Sequence, residues 1–177
     1  TQTYHFPAVT DLPVRLVPGI RSGAAECDLD SVADVDVMRG EETLCVGLIE
    51  LGLAQLPCTI LNLGSHWKAI QLDAAGRIAA SVTSLTGELI YTAQTQTILA
   101  SAVPHERPAI IDPHWAAAGM REQRRAGLAR SLFCVRLLEQ KGRCTPEERM
   151  AYLVGAFLAA DFDGLRARGW LQAGTSV

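Results

Sequence analysis

The segment Asp36–Thr43, "DVMRGEET", places three carboxylates and one arginine around a single glycine. Carboxylates grouped in this way can accept a proton, bind sugar hydroxyls or pair with a guanidinium group. The segment leads into the apolar run "LCVGLIELGLAQL", so its acids lie at the start of a predicted helix. That helix is expected over Val37–Leu53, with Asp36 as its N-cap.

The glutamates Glu41 and Glu42 fall on the apolar side of this helix when it is wound at about 100° per residue. In one interpretation they are ordinary first-turn acids, stabilised by the helix dipole and by free backbone N–H groups. In the other they line a ligand cleft and bind substrate hydroxyls, a metal or a partner arginine. Asp36 is likewise either a plain N-cap or a general base directed into that cleft.

The segment "LNLGSHWK" offers a second chemical group, at a predicted turn between two strands. Backbone N–H groups of Gly64 and Ser65, the Ser65 hydroxyl and the Lys68 ammonium together suit a phosphate. An ordinary hairpin turn is the alternative interpretation.

A third group, "TSLTGELI", marks a junction between a strand and a helix. Thr86, Gly87 and Glu88 there suit an anion or a hydroxyl, and they equally suit a capped helix start. Asp161 recurs on the apolar stripe of the last predicted helix, so we expect it to be paired or to lie at the rim of a site.

The elements that must position these residues indicate a mixed α/β or α+β protein. The pattern predicts a short strand closed by Pro18, three antiparallel strands within residues 59–85, a helix over 86–102 and a proline-rich loop. Two more helices are predicted, one over Ala116–Gln140 and one that starts with Thr145 as N-cap, Pro146 and a capping box at Glu148, and ends near 164–169.

Composition narrows the class of function. A net charge of -3 on 177 residues gives no global attraction to nucleic acid or to an anionic membrane. Five scattered cysteines and four dispersed histidines argue against a disulfide framework and against a metal site, and favour a reducing cytoplasm. The sequence shows no signal-peptide pattern and no long uninterrupted apolar stretch, so neither export nor membrane insertion is expected.

Five motifs in this order, "DVMRGEET", "GSHWK", "TSLTGEL", "LFCVR" and "YLVGAFLAAD", resemble the 2-dehydro-3-deoxygalactonokinase family. These are sugar-acid kinases of the actin and hexokinase-like superfamily, and the resemblance covers about Leu16 to Asp161. It implies a ribonuclease H-like (actin/hexokinase-type ATPase) α/β lobe with antiparallel hairpins and flanking helices. Residues 1–57 would end the N-terminal lobe with an interlobe helix, and residues 58–177 would form the C-terminal lobe.

The implied reaction is transfer of the ATP γ-phosphate, with Mg²⁺, to the terminal hydroxyl of 2-dehydro-3-deoxy-D-galactonate in galactonate breakdown. The family's first phosphate-binding hairpin, of the form DWGTT, has no counterpart in this chain. We therefore expect a partial family member that folds but does not turn over by itself. The partners implied are the sugar acid and ATP, and a homodimer is allowed.

The resemblance also assigns roles to the matching residues. It implies catalytic roles for Asp36 and Glu41, substrate binding by Arg39, Glu42, Thr86 and Glu88, and nucleotide phosphate binding by Gly64, Ser65, His66 and Lys68. The chain departs from the family where Leu63 replaces a proline, where the tryptophan moves to Trp67 and where Asp161 replaces a glutamate. The competing hypotheses are a non-catalytic sugar- or nucleotide-binding fragment or decayed paralogue, and an unrelated binding domain.

Overall fold

The computed structural model describes residues 2–172 and residue 177, and it divides into two compact units. Unit 1 contains Thr1–Asn62 and Lys68–Thr83, and unit 2 contains Leu63–Trp67 and Ser84–Ala173. The predicted lobe boundary between residues 57 and 58 stays a prediction. Helices and small antiparallel sheets occur together, which confirms the mixed α/β class.

Unit 1 begins with two small antiparallel sheets. Strand β1 (Gln2–Phe6) pairs with β2 (Thr10–Leu16), and β3 (Ile20–Ser22) pairs with β4 (Asp36–Met38). The sequence predicted one short strand in this region, and it predicted a helix that begins at Val37, within β4. The helix prediction is wrong there because β4 pairs with β3, with Ile20 opposite Met38. A local sequence pattern does not show a partner eighteen residues away.

Helix α1 (Glu41–Glu50) is shorter than the predicted helix Val37–Leu53 at both ends. Its N-cap is Gly40, not Asp36, so the N-cap prediction for Asp36 is wrong. Gly40 adopts a φ of 119°, a conformation that residues with a Cβ rarely adopt. The chain can therefore turn from β4 into α1 at this glycine, and Asp36 stays in the strand.

Three further strands form the largest sheet, in the order β5 (Cys58–Leu63), β6 (Trp67–Leu72) and β7 (Ile78–Ser84). Connections over 64–66 and 73–77 are too short for a parallel crossover, so neighbouring strands are antiparallel, as predicted. The core of unit 1 consists of side chains from this sheet together with β4 and α1: Met38, Cys45, Cys58, Ile70 and Leu72.

Unit 2 is helical: α2 (Thr86–Gln96), a 3₁₀ turn (Ile98–Ser101), α3 (Pro113–Ala126), α4 (Leu128–Lys141) and α5 (Pro146–Ala167). The single predicted helix Ala116–Gln140 is wrong, since α3 and α4 are separated at Gly127, whose φ is 83°. The predicted start of α5 is confirmed: the Thr145 side chain accepts a hydrogen bond from the Glu148 backbone, and the Glu148 side chain accepts one from the Thr145 backbone.

Helices α3 and α5 approach so closely that two glycines are required where they cross. A Cβ built on Gly155 would lie 1.9 Å from the carbonyl oxygen of Ala116, and one built on Gly119 would lie 2.0 Å from that of Tyr152. The core of unit 2 surrounds this crossing and includes Val135, Met150, Leu153 and Phe157. The crossing fixes the position of α5, the helix that carries Asp161.

Candidate functional site

Asp36 lies in β4 of unit 1, where its carboxylate is held by the sheet. The Ser81 hydroxyl of β7 donates a hydrogen bond of 2.5 Å to Asp36 Oδ2. The Asp36 side chain is 10% exposed. Its other oxygen, Oδ1, accepts no hydrogen bond from any described residue and is not among the buried atoms that lack a partner. One oxygen is therefore fixed by Ser81, and the other has no hydrogen-bond partner among the described residues.

Lys68 of β6 lies beside this carboxylate and is almost fully buried, with 4% of its side chain exposed. Its ammonium donates a hydrogen bond of 2.6 Å to the Val37 carbonyl. It also lies 3.9 Å from Asp36 Oδ2 and 4.0 Å from Glu41 Oε1. A buried ammonium needs such partners, and here it partly neutralises two carboxylates. Its predicted contact with nucleotide phosphate stays a prediction.

The adjacent glutamates at the start of α1 bind the backbone that precedes the helix. Both carboxylate oxygens of Glu42, which is 2% exposed, accept from the Gly40 N–H at 2.8 Å. Glu41 Oε2 accepts from the Arg39 N–H at 3.2 Å. Two N–H groups near a helix start are thereby satisfied, which fixes the turn from β4 into α1. Glu41 and Glu42 are therefore first-turn acids of α1 that accept hydrogen bonds from backbone N–H groups, as the first interpretation holds. Their predicted roles toward a ligand stay predictions.

Arg39 occupies the turn that these glutamates fix. Its side chain is exposed, and its guanidinium makes no hydrogen bond or ion pair within the described part of the chain. A guanidinium presents donors in a planar fork that matches a carboxylate or a phosphate. It is the cationic group in this segment that is free to bind an anion.

The predicted phosphate turn, Gly64 to His66, belongs to unit 2 and packs on the start of α2. The Glu88 N–H donates to the Ser65 carbonyl at 2.9 Å. A Cβ on Gly87 would lie 2.1 Å from the Gly64 carbonyl oxygen, so the glycine of "TGEL" is needed for this approach. The His66 imidazole and the Glu88 carboxylate, both about half exposed, form a 2.8 Å contact between Nε2 and Oε1. The turn is therefore anchored by α2 on both its backbone and its histidine.

A second set of polar side chains in unit 2 centres on Asp161 of α5. Asp161 Oδ2 accepts hydrogen bonds from Thr86 Oγ1 at 2.6 Å and from Ser84 Oγ at 3.1 Å. Asp161 is therefore paired through Oδ2 with hydroxyls, and the ion pairs of the described residues include no cation partner for it. The alternative that it lies at the rim of a site stays a prediction.

Two polar partners were missed by sequence reasoning. Ser81 and Ser84 lie on β7 and were assigned only to a strand, yet each hydroxyl donates to a carboxylate. The available signal was weak: small hydroxyl residues are frequent in "SVTS", a run that otherwise favours strand. Neither partner, Asp36 or Asp161, is near in sequence.

The buried thiols contribute no nucleophile to unit 1. Burial raises the pKa of Cys45, and the neighbouring Cys58 raises it further. Burial also raises the pKa of Cys58. Because the thiolate is the reactive form of cysteine, these two side chains are inert members of the core.

Residues 2–172 and 177 contain no group of three or more His, Cys, Asp or Glu side chains arranged to hold a metal ion. None of the described helices is long and apolar enough to cross a membrane.

Comparisons with known proteins agree on one family. The family model of the 2-keto-3-deoxy-galactonokinases matches residues 2–175. The fold is similar to that of a Sinorhizobium meliloti protein solved by crystallography and described as "a putative 2-dehydro-3-deoxygalactonokinase protein", with a TM-score of 0.73 and 24% identity. That alignment covers 98% of this chain and 55% of the solved one, so the chain spans about half the length of this relative. No curated protein matches the chain.

Proposed function

Because this chain belongs to the 2-keto-3-deoxy-galactonokinase family, we propose that it takes part in ATP-dependent phosphorylation of 2-dehydro-3-deoxy-D-galactonate. The γ-phosphate would pass to the terminal hydroxyl of this sugar acid, as a step of galactonate catabolism. The mixed α/β architecture supports the further proposal that the chain is part of a ribonuclease H-like kinase lobe. Since the chain spans about half of its solved relative, turnover would need residues equivalent to the remainder.

The observation that carries this proposal is the geometry of Asp36. Phosphoryl transfer to an alcohol needs a carboxylate that orients the hydroxyl and accepts its proton. Asp36 Oδ2 is fixed by Ser81, and the ammonium of Lys68 lies 3.9 Å away. Oδ1 has no partner among the described residues, so it is the oxygen available to a substrate hydroxyl. We assign Asp36 as the general base, with Glu41 as the second carboxylate of the catalytic group.

Arg39 is proposed to bind the carboxylate of the sugar acid. Its exposed guanidinium lacks a protein partner in the described region, and a planar fork matches a carboxylate through two parallel hydrogen bonds. Glu42 holds the Gly40 N–H, so its contribution to substrate binding would consist in fixing the backbone turn that presents Arg39.

Gly64, Ser65 and His66 are proposed to contact nucleotide phosphate, with Glu88 holding the histidine ring. The described residues hold no group of three or more His, Cys, Asp or Glu side chains that could bind a metal ion, so we propose no Mg²⁺ held by the protein alone. The ion would arrive with the nucleotide, as is usual for kinases, and it would neutralise phosphate charge.

The proposed contact of Lys68 with nucleotide phosphate has its own test. Lys68→Ala should weaken ATP binding far more than sugar-acid binding. The opposite result would restrict Lys68 to the carboxylates that it contacts in unit 1.

The reaction is tested by measuring ATP consumption with a panel of 2-keto-3-deoxy acids. The measurement uses the 177-residue chain by itself and a version extended to the length of the solved relative. We expect the extended version to phosphorylate 2-dehydro-3-deoxy-D-galactonate and the chain alone to show background turnover only. Binding of the sugar acid without turnover by either version would support the non-catalytic alternative. Turnover of roughly 1 to 100 per second by the chain alone would refute the need for further residues.

A further inference from the structure

Polar side chains of unit 2 come together at Asp161. Thr86 is the first residue of α2, Ser84 is the last residue of β7, and Asp161 lies in α5. Thr86 Oγ1 donates to Asp161 Oδ2 at 2.6 Å. Ser84 Oγ has two acceptors within reach of its single proton, Asp161 Oδ2 at 3.1 Å and Thr86 Oγ1 at 3.0 Å.

Proton counting shows which member of this group can contact a ligand. A hydroxyl has a single proton to donate, and the proton of Thr86 is used in its short bond to Asp161. The Thr86 side chain is also buried, with 5% exposed. Thr86 therefore has no proton for a ligand anion and little surface to present.

Asp161 is more exposed than Thr86, with intermediate burial, and it has a free acceptor atom. Its second oxygen, Oδ1, accepts no hydrogen bond from the described residues and is not among their buried atoms that lack a partner. No lysine, arginine or histidine of the described region forms an ion pair with it. Two neutral hydroxyls beside Oδ2 are thus the hydrogen-bond partners of the Asp161 carboxylate, and Oδ1 has no partner among the described residues.

The chemistry of that open oxygen selects the kind of ligand group. An ionised carboxylate only accepts hydrogen bonds, and it repels phosphates and carboxylates. A resident divalent cation is usually bound by further carboxylates, and the described residues hold no group of three or more His, Cys, Asp or Glu side chains that could bind one. A hydroxyl donor, the same group that Ser84 and Thr86 already supply to Oδ2, is the ligand that fits.

We propose that Asp161 contacts the substrate, its Oδ1 accepting a hydrogen bond from a hydroxyl of the polyhydroxy sugar acid. Ser84 and Thr86 are positioning residues that hold the carboxylate through Oδ2. This inference rests on the proposed function for the identity of the sugar acid. The substrate contact predicted for Thr86 is thereby assigned to Asp161. The substrate group at Asp161 is a hydroxyl and not the carboxylate of the sugar acid.

The test compares two isosteric substitutions on the same helix. Asp161→Asn removes the charge of the proposed acceptor. Asp163→Asn, the control, removes a carboxylate two residues further along that is ion-paired with Arg124 at 2.7 Å. Amide chemical shifts of the 177-residue chain are followed during titration with 2-dehydro-3-deoxy-D-galactonate, D-galactonate, ATP and MgCl₂.

We expect the sugar acids to shift the amides of Asp161 and its neighbours. Their affinity should fall by about tenfold or more in Asp161→Asn, which corresponds to about 1.4 kcal/mol, and should stay within about twofold in Asp163→Asn, since charge-assisted hydrogen bonds are the stronger ones. Thr86→Ser keeps the positioning hydroxyl and should retain binding, whereas Thr86→Val should weaken it. The serine variant separates loss of positioning from loss of packing.

Three results would overturn the inference: equal affinities for the two asparagine variants, absence of shifts at Asp161 with either sugar acid, or a shift there with MgCl₂ alone. The proposed reaction fails separately. If sugar acids bind through Asp161 while no version of the protein phosphorylates them, the reaction is refuted and the inference stands. If phosphorylation occurs and Asp161→Asn leaves the KM for the sugar acid unchanged, the inference is refuted and the reaction stands.

Discussion

Gly155→Ala is predicted to destabilise unit 2 strongly, although alanine is the better helix former. Gly155 lies in the middle of α5, where an added Cβ would be 1.9 Å from the carbonyl oxygen of Ala116 and 2.6 Å from its carbonyl carbon. Real Cβ atoms essentially never come closer than 3.0 Å to such an atom. The obstructing atoms belong to the backbone of α3, so no side chain can rotate away.

The magnitude follows from how far the helices must separate. Relief of the contact requires a shift of about 1 Å, and a gap of that size forfeits roughly a quarter to a half of the dispersion attraction of the atoms on either side. Overpacked cores typically lose about 1 to 3 kcal/mol and occasionally more. Because this clash is with backbone, we expect a net loss of about 3 kcal/mol, even after a gain of up to ~1 kcal/mol from helix propensity.

Urea denaturation followed by tryptophan fluorescence measures this loss selectively. All three tryptophans of the chain, Trp67, Trp115 and Trp170, belong to unit 2. Their emission therefore reports on the unit that contains the helix crossing. The free energy of unfolding is obtained by linear extrapolation, with the slope checked for constancy between variants.

The same helix provides the control. Gly164 of α5 has no atom within 4 Å of a built Cβ and a negative φ, so Gly164→Ala should stabilise the unit by roughly 0.5 to 1 kcal/mol. The two substitutions are chemically identical and should have opposite signs. If Gly155→Ala is as stable as Gly164→Ala, the close crossing of α3 and α5 is refuted.

Three further predictions concern charge and capping. Lys68→Met should destabilise unit 1 by about 3 kcal/mol, since it leaves two partly buried carboxylates without their cation. Amide hydrogen exchange in unit 1 measures the loss of stability. Unchanged protection of those amides would contradict the burial of the Lys68 ammonium. Arg124 holds the pKa of Asp163 below its usual value, so this carboxylate stabilises the fold above about pH 4, and the stabilisation is lost as pH falls through the folded pKa. Asp163→Asn should therefore reduce the fall in the free energy of unfolding at acid pH. An unchanged fall would rule out this contribution of Asp163. Thr145→Ala should cost about 1 kcal/mol in the tryptophan-monitored denaturation, and a cost of zero would mean that the capping box of α5 is not formed in solution.

Local chemistry made several elements predictable from sequence. The start of α5 was predictable because its cap, its proline and its capping box are contiguous in the chain. The three strands β5 to β7 were predictable because turn residues separate short apolar runs. In both cases the signal and the structure that it specifies lie within a few residues of each other.

Elements fixed by distant partners were not predictable in this way. Asp36 has a side chain that suits an N-cap, and only the pairing of β4 with β3 keeps it in a strand. Gly40 and Gly127 end or begin helices through a positive φ, which a glycine permits but does not announce. A local pattern therefore predicts one uninterrupted helix across Gly127, where the structure has two.

The candidate site was predicted as a set of residue types, and its contacts were not. The sequence pointed to Asp36, the glutamates and Asp161 as groups of interest. It did not reveal the hydroxyls of Ser81 and Ser84 that hold two of these carboxylates, since those partners are 45 and 77 residues away. Hydrogen bonds over such separations depend on the completed fold.

The most direct test of the account is the turnover of Asp36→Asn in the version extended to the length of the solved relative, with 2-dehydro-3-deoxy-D-galactonate and ATP. The control is Asp30→Asn, an exposed acid of the loop before β4. A general base contributes about 10²- to 10⁴-fold to such a step, so we predict at least a 100-fold fall in kcat for Asp36→Asn and no more than a twofold change for Asp30→Asn. Turnover of Asp36→Asn within about threefold of the unsubstituted protein would contradict the assignment of the base and transfer the role to Glu41 or Glu42.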